Sequence, residues 1–137
     1  MTGADARCCV EVGADAIWVS NHGGRQQDGL VASVDALPAV VEEVAELAEV
    51  YVDGGIRRGS DIVKALALGA RSCMIGRPYV YGLAAGGQAG VETVLRTLQG
   101  ELDASLALLG RPRLADLDRS ALHTADTALR LVPERRR

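Results

Sequence analysis

No uninterrupted apolar run in this sequence approaches the roughly 18 residues that a membrane span needs, and no long apolar leader segment follows the first residue. The chain is therefore read as soluble and cytoplasmic. Cysteine is scarce: Cys8, Cys9 and Cys73 are odd in number, and the adjacent pair lacks the spacing of a zinc knuckle or a redox motif. That predicts no metal site and fits a reduced compartment. Basic charge is not in excess either. Fifteen Lys and Arg against 18 Asp and Glu give a net charge of -3, which supplies no field for nucleic acid. The small basic tail Glu134-Arg135-Arg136-Arg137 is read as solvated. There is no convincing residue-level repeat.

What is present is one domain's worth of material, 137 residues of which 48% are hydrophobic, as in an ordinary folded protein. Helical character runs from Asp5 to Gly13, with no strand before it, so the chain is expected to start in mid-fold. Ala16 to Ser20 is a short apolar run with β-branched residues, read as a strand buried on both faces. After a glycine-containing loop, Asp35 to Leu47 carries Leu37, Val40, Val41, Val44 and Leu47 at helical spacing, with Glu42, Glu43 and Glu46 opposite. Glu49 to Asp53 reads as a second strand. Ser60 to Leu68 reads as a second clear helix, capped by Ser60 or Gly59 and ended by Gly69. Arg71 to Ile75 is the third strand. After Pro78 the pattern turns helical again, most clearly in a leucine-rich stripe from Gly90 to Leu109, and Pro112 opens a short terminal helical region. Alternation of apolar strands and helices predicts parallel β/α units.

In such units functional residues gather at the carboxyl ends of strands, and three motifs occupy that position. His22-Gly23-Gly24-Arg25 follows the first strand. The histidine is placed for proton transfer near its ordinary titration range, against the alternative of a hydrogen-bonded loop residue. The arginine fork suits a carboxylate, against the alternative of a surface charge. Asp53-Gly54-Gly55-Ile56-Arg57-Arg58-Gly59-Ser60 follows the second strand. Its glycines let the backbone approach an anion, and the helix after it is expected to offer free N–H groups. Gly76-Arg77-Pro78 follows the third strand and adds N–H donors and a guanidinium. Phosphate binding between the last two strands is the expectation, with glycine-requiring turns as the plain alternative. His123, in a polar stretch, is read as surface.

The run Ser20-Asn21-His22-Gly23-Gly24-Arg25-Gln26-Gln27-Asp28-Gly29 resembles the active-site signature of the FMN-dependent 2-hydroxy-acid dehydrogenases and oxidases. Asp53 to Ile62 and Gly76-Arg77-Pro78-Tyr79 resemble further motifs of that family, in the same order, so the likeness runs from about Gly3 to His123. The His-Gly-Gly-Arg segment is the narrower signal, because the glycine turn also resembles other phosphate-binding barrels. The resemblance implies oxidation of a small 2-hydroxy acid, such as L-lactate or glycolate, to the 2-oxo acid with FMN as cofactor. It implies His22 as general base and substrate contact, and Arg25 as carboxylate anchor. Ser20 would contact the flavin. Asp53, Gly54, Gly55, Ile56, Arg57, Gly76 and Arg77 would line the phosphate and ribityl chain. Gln27, where the family commonly has leucine, departs from the pattern.

The fold this implies is α/β, a partial (β/α)8 TIM barrel in which residues 1–137 supply the last three parallel strands with their helices. A full barrel takes about 250 residues. The family's substrate-side tyrosines, the acidic partner of its histidine and its flavin-side lysine have no counterpart here. An uncovered three-stranded sheet is expected to pair with another copy or with a complementing N-terminal half-barrel chain. Two alternatives stay open. One is a non-catalytic FMN- or phosphate-binding remnant or interaction module. The other is a barrel of the inosine-monophosphate dehydrogenase type, for which Cys8, Cys9 and Cys73 are badly placed.

Overall fold

The computed structural model describes residues 1–123; the basic tail lies outside them. Thr2 opens the first helix, α1 (Gly3–Glu11). Its Oγ1 accepts the Asp5 N–H at 3.2 Å, and the Asp5 carboxylate accepts the Thr2 N–H at 2.9 Å. This reciprocal cap satisfies donors that have no partner within the helix, and it starts α1 ahead of the predicted Asp5. Strand β1 (Ala16–Val19), a 3-10 turn at His22–Gly24, α2 (Ser33–Val44), β2 (Glu49–Val52), α3 (Gly59–Ala67), β3 (Ser72–Cys73) and α4 (Arg77–Leu108) follow. Two further 3-10 turns, Leu114–Asp116 and Arg119–Ala121, stand where a terminal helical region was expected.

The strands form one parallel sheet in the order β1-β2-β3. Ala16 pairs with Glu49 and Val19 with Val52, while Tyr51 pairs with Ser72 and Val52 with Cys73. Each connection between neighbours passes through a helix, as parallel pairing requires. All three strands are shorter than the sequence pattern suggests. Ser20 and Asp53 fall just beyond β1 and β2, where their side chains bond to each other.

Burial alternates along the strands. Val19, Val50 and Val52 are buried against Leu37, Val40 and Val44 of α2, in a cluster that also takes in Ala6 of α1. The next residue over, Trp18, is 57% exposed. The expectation of strands buried on both faces is therefore corrected: helices cover one face, and Trp18 and Tyr51, paired in register, stand on the other. A four-residue apolar run has the same composition whether one face or two are covered, so the pattern could not distinguish them. On the open face Glu49 accepts from the Tyr51 hydroxyl and pairs with Arg71 at 3.3 Å. Leu47, placed in the apolar stripe of α2 by its spacing, is 53% exposed because the helix ends at Val44.

Helices α3 and α4 meet backbone to backbone at Gly59, where a Cβ would overlap the main chain of Glu101 and Leu102. Val63, Leu102 and Leu106 make a second, smaller apolar cluster beside that contact. Of the predicted leucine stripe, Leu98, Leu102 and Leu106 are buried, but Leu95 and Leu109 are exposed. Helix α4 begins at Arg77, next to Pro78, after which the pattern turns helical. It breaks at Gly86 and Gly87 and folds back so that Gly82 and Gly90 touch.

Leu37 is fully buried between α2 and the sheet. Leu37→Ala removes its packing and leaves a cavity, which typically costs about 2–5 kcal/mol. Urea unfolding should show a lower midpoint at unchanged slope, the shift multiplied by the slope giving that amount.

Candidate functional site

The parallel register brings the three sequence motifs to one end of the sheet. The Asp53 N–H donates to Val19 O at 3.2 Å, and the Met74 N–H donates to Val52 O at 2.9 Å. The chain therefore leaves all three strands side by side. Just above the ladder, Ser20 Oγ donates to Asp53 Oδ2 at 2.8 Å and accepts the His22 N–H at 3.1 Å. One hydroxyl thus ties the carboxylate at the end of β2 to the backbone of the histidine after β1. Asp53 Oδ1, by contrast, is shielded from solvent and has no hydrogen-bond partner among the described residues. A buried carboxylate oxygen without a donor is uncommon and costly, and it marks a place where a hydroxyl or amide from elsewhere would be accepted.

His22 sits at φ 54° and is the one non-glycine residue among those described with a positive φ. That conformation costs an L residue roughly 1–2 kcal/mol, so the surroundings must hold it. Hydrogen bonds do so from both sides. Gly24 N–H donates to Asn21 O at 3.0 Å and Arg25 N–H to His22 O at 3.3 Å. Asn21 N–H donates to Ser33 Oγ at 3.1 Å, and the Asn21 side-chain amide donates to Val31 O at 3.3 Å. At about 0.5–1.5 kcal/mol net for each bond, these offset the strain. The His22 residue itself is exposed, so its ring is open to a ligand.

After β2, Gly54 and Gly55 both adopt left-handed φ, 86° and 81°. Gly54 lies against α2, where a Cβ would stand 3.2 Å from Ser33 Oγ, whereas Gly55 and Gly76 face open space. Room is thus left beside the two turns that were expected to approach an anion. The expectation that α3 offers free N–H groups is narrowed to Ser60, whose N–H has no acceptor among the described residues. The Asp61 carboxylate accepts from the N–H groups of both Arg57 and Arg58 at 3.1 Å, and Glu101 of α4 accepts the Gly59 N–H at 2.8 Å. Carboxylates of the protein itself thus take the first helical N–H and the two before it, leaving that of Ser60, and the cap residue is Arg58, with Asp61, in place of Ser60 or Gly59. The N-terminus of α4 differs. Gly76 caps it with no side-chain hydrogen bond, and Pro78 occupies its first turn.

The arginines divide in the same way. Arg58 pairs with Glu101 at 2.9 Å, while Arg25, Arg57 and Arg77 are exposed and form no ion pair among the described residues. Ser20, His22 and Asp53 are therefore joined directly. Arg25 touches that trio only through its backbone, its N–H donating to His22 O, while Arg57, Gly76 and Arg77 share this end of the sheet through topology, with no hydrogen bond to the trio among the described residues. The Ile56 side chain points away into the main core, leaving its backbone for any ligand. His123 is exposed and lies outside any helix. Ser33, Asp61 and Glu101 were missed by the sequence reading. Asp61 had a readable signal in its capping distance from Arg58, but Glu101, 42 residues from Gly59, had none. Burial pushes the Cys73 thiol up from its ordinary range, and no cluster of three metal-ligating side chains occurs among the described residues. Nor is any described helix long and apolar enough to cross a membrane.

A family model described as FMN-dependent dehydrogenase matches residues 1–124. The L-lactate oxidase of Nostoc sp. is 58% identical over 123 residues, covering 90% of this chain and 34% of that protein. The pre-mycofactocin synthase of Mycobacterium tuberculosis is 58% identical over 113 residues, covering 82% of this chain and 28% of that protein. Among solved structures, (S)-mandelate dehydrogenase, described as a monotopic membrane protein, superposes with a TM-score of 0.86 at 43% identity, over 89% of this chain and 32% of that one. The chain thus spans about a third of the length of the relatives it matches. Its three parallel strands and helices are a portion of the barrel fold of those oxidases.

The Gly59 N–H and the Arg58 guanidinium hold the Glu101 carboxyl below its usual range. A carboxyl whose folded value is depressed stabilises the fold fully above its unfolded value, and that contribution is lost as pH falls through the folded one. Glu101→Gln should therefore lower stability at neutral pH and narrow its difference from the parent as the solution is acidified below the carboxylate range. Urea midpoints measured from pH 7 down to pH 3 test this; a difference that stays constant with pH would assign Glu101 a purely steric role.

Proposed function

The chain belongs to the FMN-dependent dehydrogenase family, and from that premise we propose that it carries the base-bearing part of an enzyme that oxidises a small (S)-2-hydroxy acid, such as L-lactate or glycolate, to the 2-oxo acid. The observation that carries this reading is the bonded trio Ser20, His22 and Asp53 at the strand ends, with an exposed histidine in a strained backbone conformation. FMN is the cofactor of the family, and the residues fit it. Asp53 Oδ1 lacks a donor, as an acceptor for a ribityl hydroxyl would before the group is bound. The open space at Gly55 and Gly76, the start of α4 and the exposed Arg57 and Arg77 suit a phosphate. Ser20, Asp53, Gly54, Gly55, Ile56, Arg57, Gly76 and Arg77 are the residues proposed to hold it, Ile56 through its backbone. When bound, FMN supplies the two-electron acceptor.

The protein's own part is binding, orientation and proton transfer. Arg25, three residues after His22 and exposed, anchors the substrate carboxylate through its planar fork. That fixes the carbon bearing the hydroxyl relative to the His22 imidazole, which accepts the proton released as the substrate is oxidised. We place the three strands as the last three of the barrel. A second copy of the chain or a complementing half-barrel chain would cover the face that carries Trp18 and Tyr51. The unpaired cysteines fit the cytoplasm.

A second reading is a non-catalytic module that grips FMN or phosphate. It is favoured by the absence, among the described residues, of any carboxylate hydrogen-bonded to the His22 ring.

The chain purified with added FMN should bind the flavin, and anaerobic L-lactate or glycolate should bleach it. His22→Ala should slow bleaching by about 10²–10⁴-fold, the usual contribution of a general base, while leaving flavin affinity unchanged. Flavin binding with no bleaching by either acid would support the second reading.

A further inference from the structure

Among the described residues Ser33 is the one polar residue in the buried set, 3% exposed, and it stands in the first turn of α2. Serine at a helix start commonly spends its hydroxyl on its own helix as a cap. Here the cap position belongs to Ala32, which makes no side-chain hydrogen bond, and the Ser33 hydroxyl reaches across instead. It accepts the Asn21 N–H at 3.1 Å, immediately before His22. It also abuts Gly54 after β2, where a Cβ would come within 3.2 Å of Ser33 Oγ and 3.8 Å of Asn21 Oδ1.

Two strand-end loops, one bearing the histidine and one the double-glycine turn, are thus referenced to the same buried hydroxyl. His22 needs such a reference. It has no glycine's freedom at φ 54°, and a residue in that region stays there only when its neighbours over-determine it. On the carboxyl side the constraints are local, from Gly24 and Arg25 within the same turn. On the amino side they come from Ser20, already bonded to Asp53, and from Ser33 on a different element. Only the latter ties the loop to the rigid, fully buried part of α2 next to Leu37.

We propose that Ser33 is a positioning residue for the base: acting through Asn21, its hydroxyl holds the His22 backbone in the left-handed conformation and keeps the Gly54 turn in register with it. The inference rests on the functional reading only for its catalytic consequence; the structural part stands by itself. Without the hydroxyl the Asn21 N–H is left without its acceptor, and the loop gains freedom that the imidazole shares. With a hydroxyl on a slightly larger side chain the bond is retained.

Amide hydrogen exchange on the parent, Ser33→Ala and Ser33→Thr chains reads this directly. Ser33→Ala should raise exchange at Asn21, His22 and Gly24 by roughly tenfold, the scale of one lost hydrogen bond, with rates at Val63 and Leu102 unchanged. Ser33→Thr should restore protection. Unchanged rates at Asn21 and His22, or a rise spread evenly over Val63 and Leu102 as well, would overturn the proposal, because the first denies the tie and the second makes Ser33 an ordinary core residue. With FMN and L-lactate added, Ser33→Ala should slow anaerobic bleaching at saturating substrate, and Ser33→Thr should recover it. If the parent bleaches and Ser33→Ala bleaches equally fast, the positioning role fails. If the parent itself does not bleach, the oxidative reading fails, and the exchange comparison still decides whether Ser33 holds His22.

Discussion

The hydrogen bond between Ser20 and Asp53 exists because β1 and β2 pair in a single register, Val19 opposite Val52, and the rest of the site depends on that register. A slip of one residue would turn every side chain of one strand to the other face, sending Ser20 toward the helices and exposing Val19. What forbids the slip is burial on one side only. Val19, Val50 and Val52 each lose almost all contact with water against Leu37, Val40 and Val44, a gain of roughly 1.5–3 kcal/mol for each fully buried side chain. The apolar face of the sheet therefore sets the geometry of the polar end, though the two share no residue.

Charge is distributed with the same economy. Three helices begin at the carboxyl end of the sheet, and two of them, α3 and α4, follow the turns at Gly55 and Gly76, where unpaired N–H groups carry partial positive charge. At α3 the protein takes up most of these itself, Asp61 accepting from Arg57 and Arg58 and Glu101 from Gly59, and Glu101 also pairs with the Arg58 guanidinium. That leaves the Arg57 and Arg77 guanidinium groups with no ion pair among the described residues, beside an α4 terminus that lacks a side-chain cap. Filling one terminus and leaving the other open concentrates the positive potential on the β3 side of the turn. On the proposed reading, the phosphate is therefore held more from that side than the glycine motif alone suggested.

The elements and their order were legible in the sequence because they follow from period and punctuation. Strands stop at glycine or charge, helices carry their leucines and valines at helical spacing, and the three chemical motifs sit where parallel β/α units put them. What was not legible came from long-range geometry. No local pattern says that Trp18 faces away from the helices, since an apolar quartet reads the same with one covered face as with two. The Glu101 cap on Gly59 spans 42 residues and needs the α3–α4 approach that the lack of a Cβ at Gly59 permits. The break of α4 at Gly86 and Gly87 was hidden because the small residues on both sides read as one continuous helix or as none. Ser33 escaped notice for a different reason: a serine at a helix start looks like a cap, and only coordinates reveal that its hydroxyl serves another loop.

The way His22, the proposed base, is held bears on what this chain can do unaided. His22 is constrained through its backbone, by Ser20, Asn21, Gly24 and Arg25, and the ring projects from an exposed residue with no carboxylate bonded to it among the described residues. A fixed backbone locates a side chain, but an imidazole that must accept a proton from one direction also needs its ring rotation set, which usually takes a second hydrogen bond from an acidic or carbonyl group. The open sheet face beside it is the surface from which such a group could approach, since the helices occupy the other. On the proposed reading, placement of the base is therefore built into these three strands, whereas orientation of its ring is not, and whatever packs over Trp18 and Tyr51 governs turnover more than it governs flavin binding.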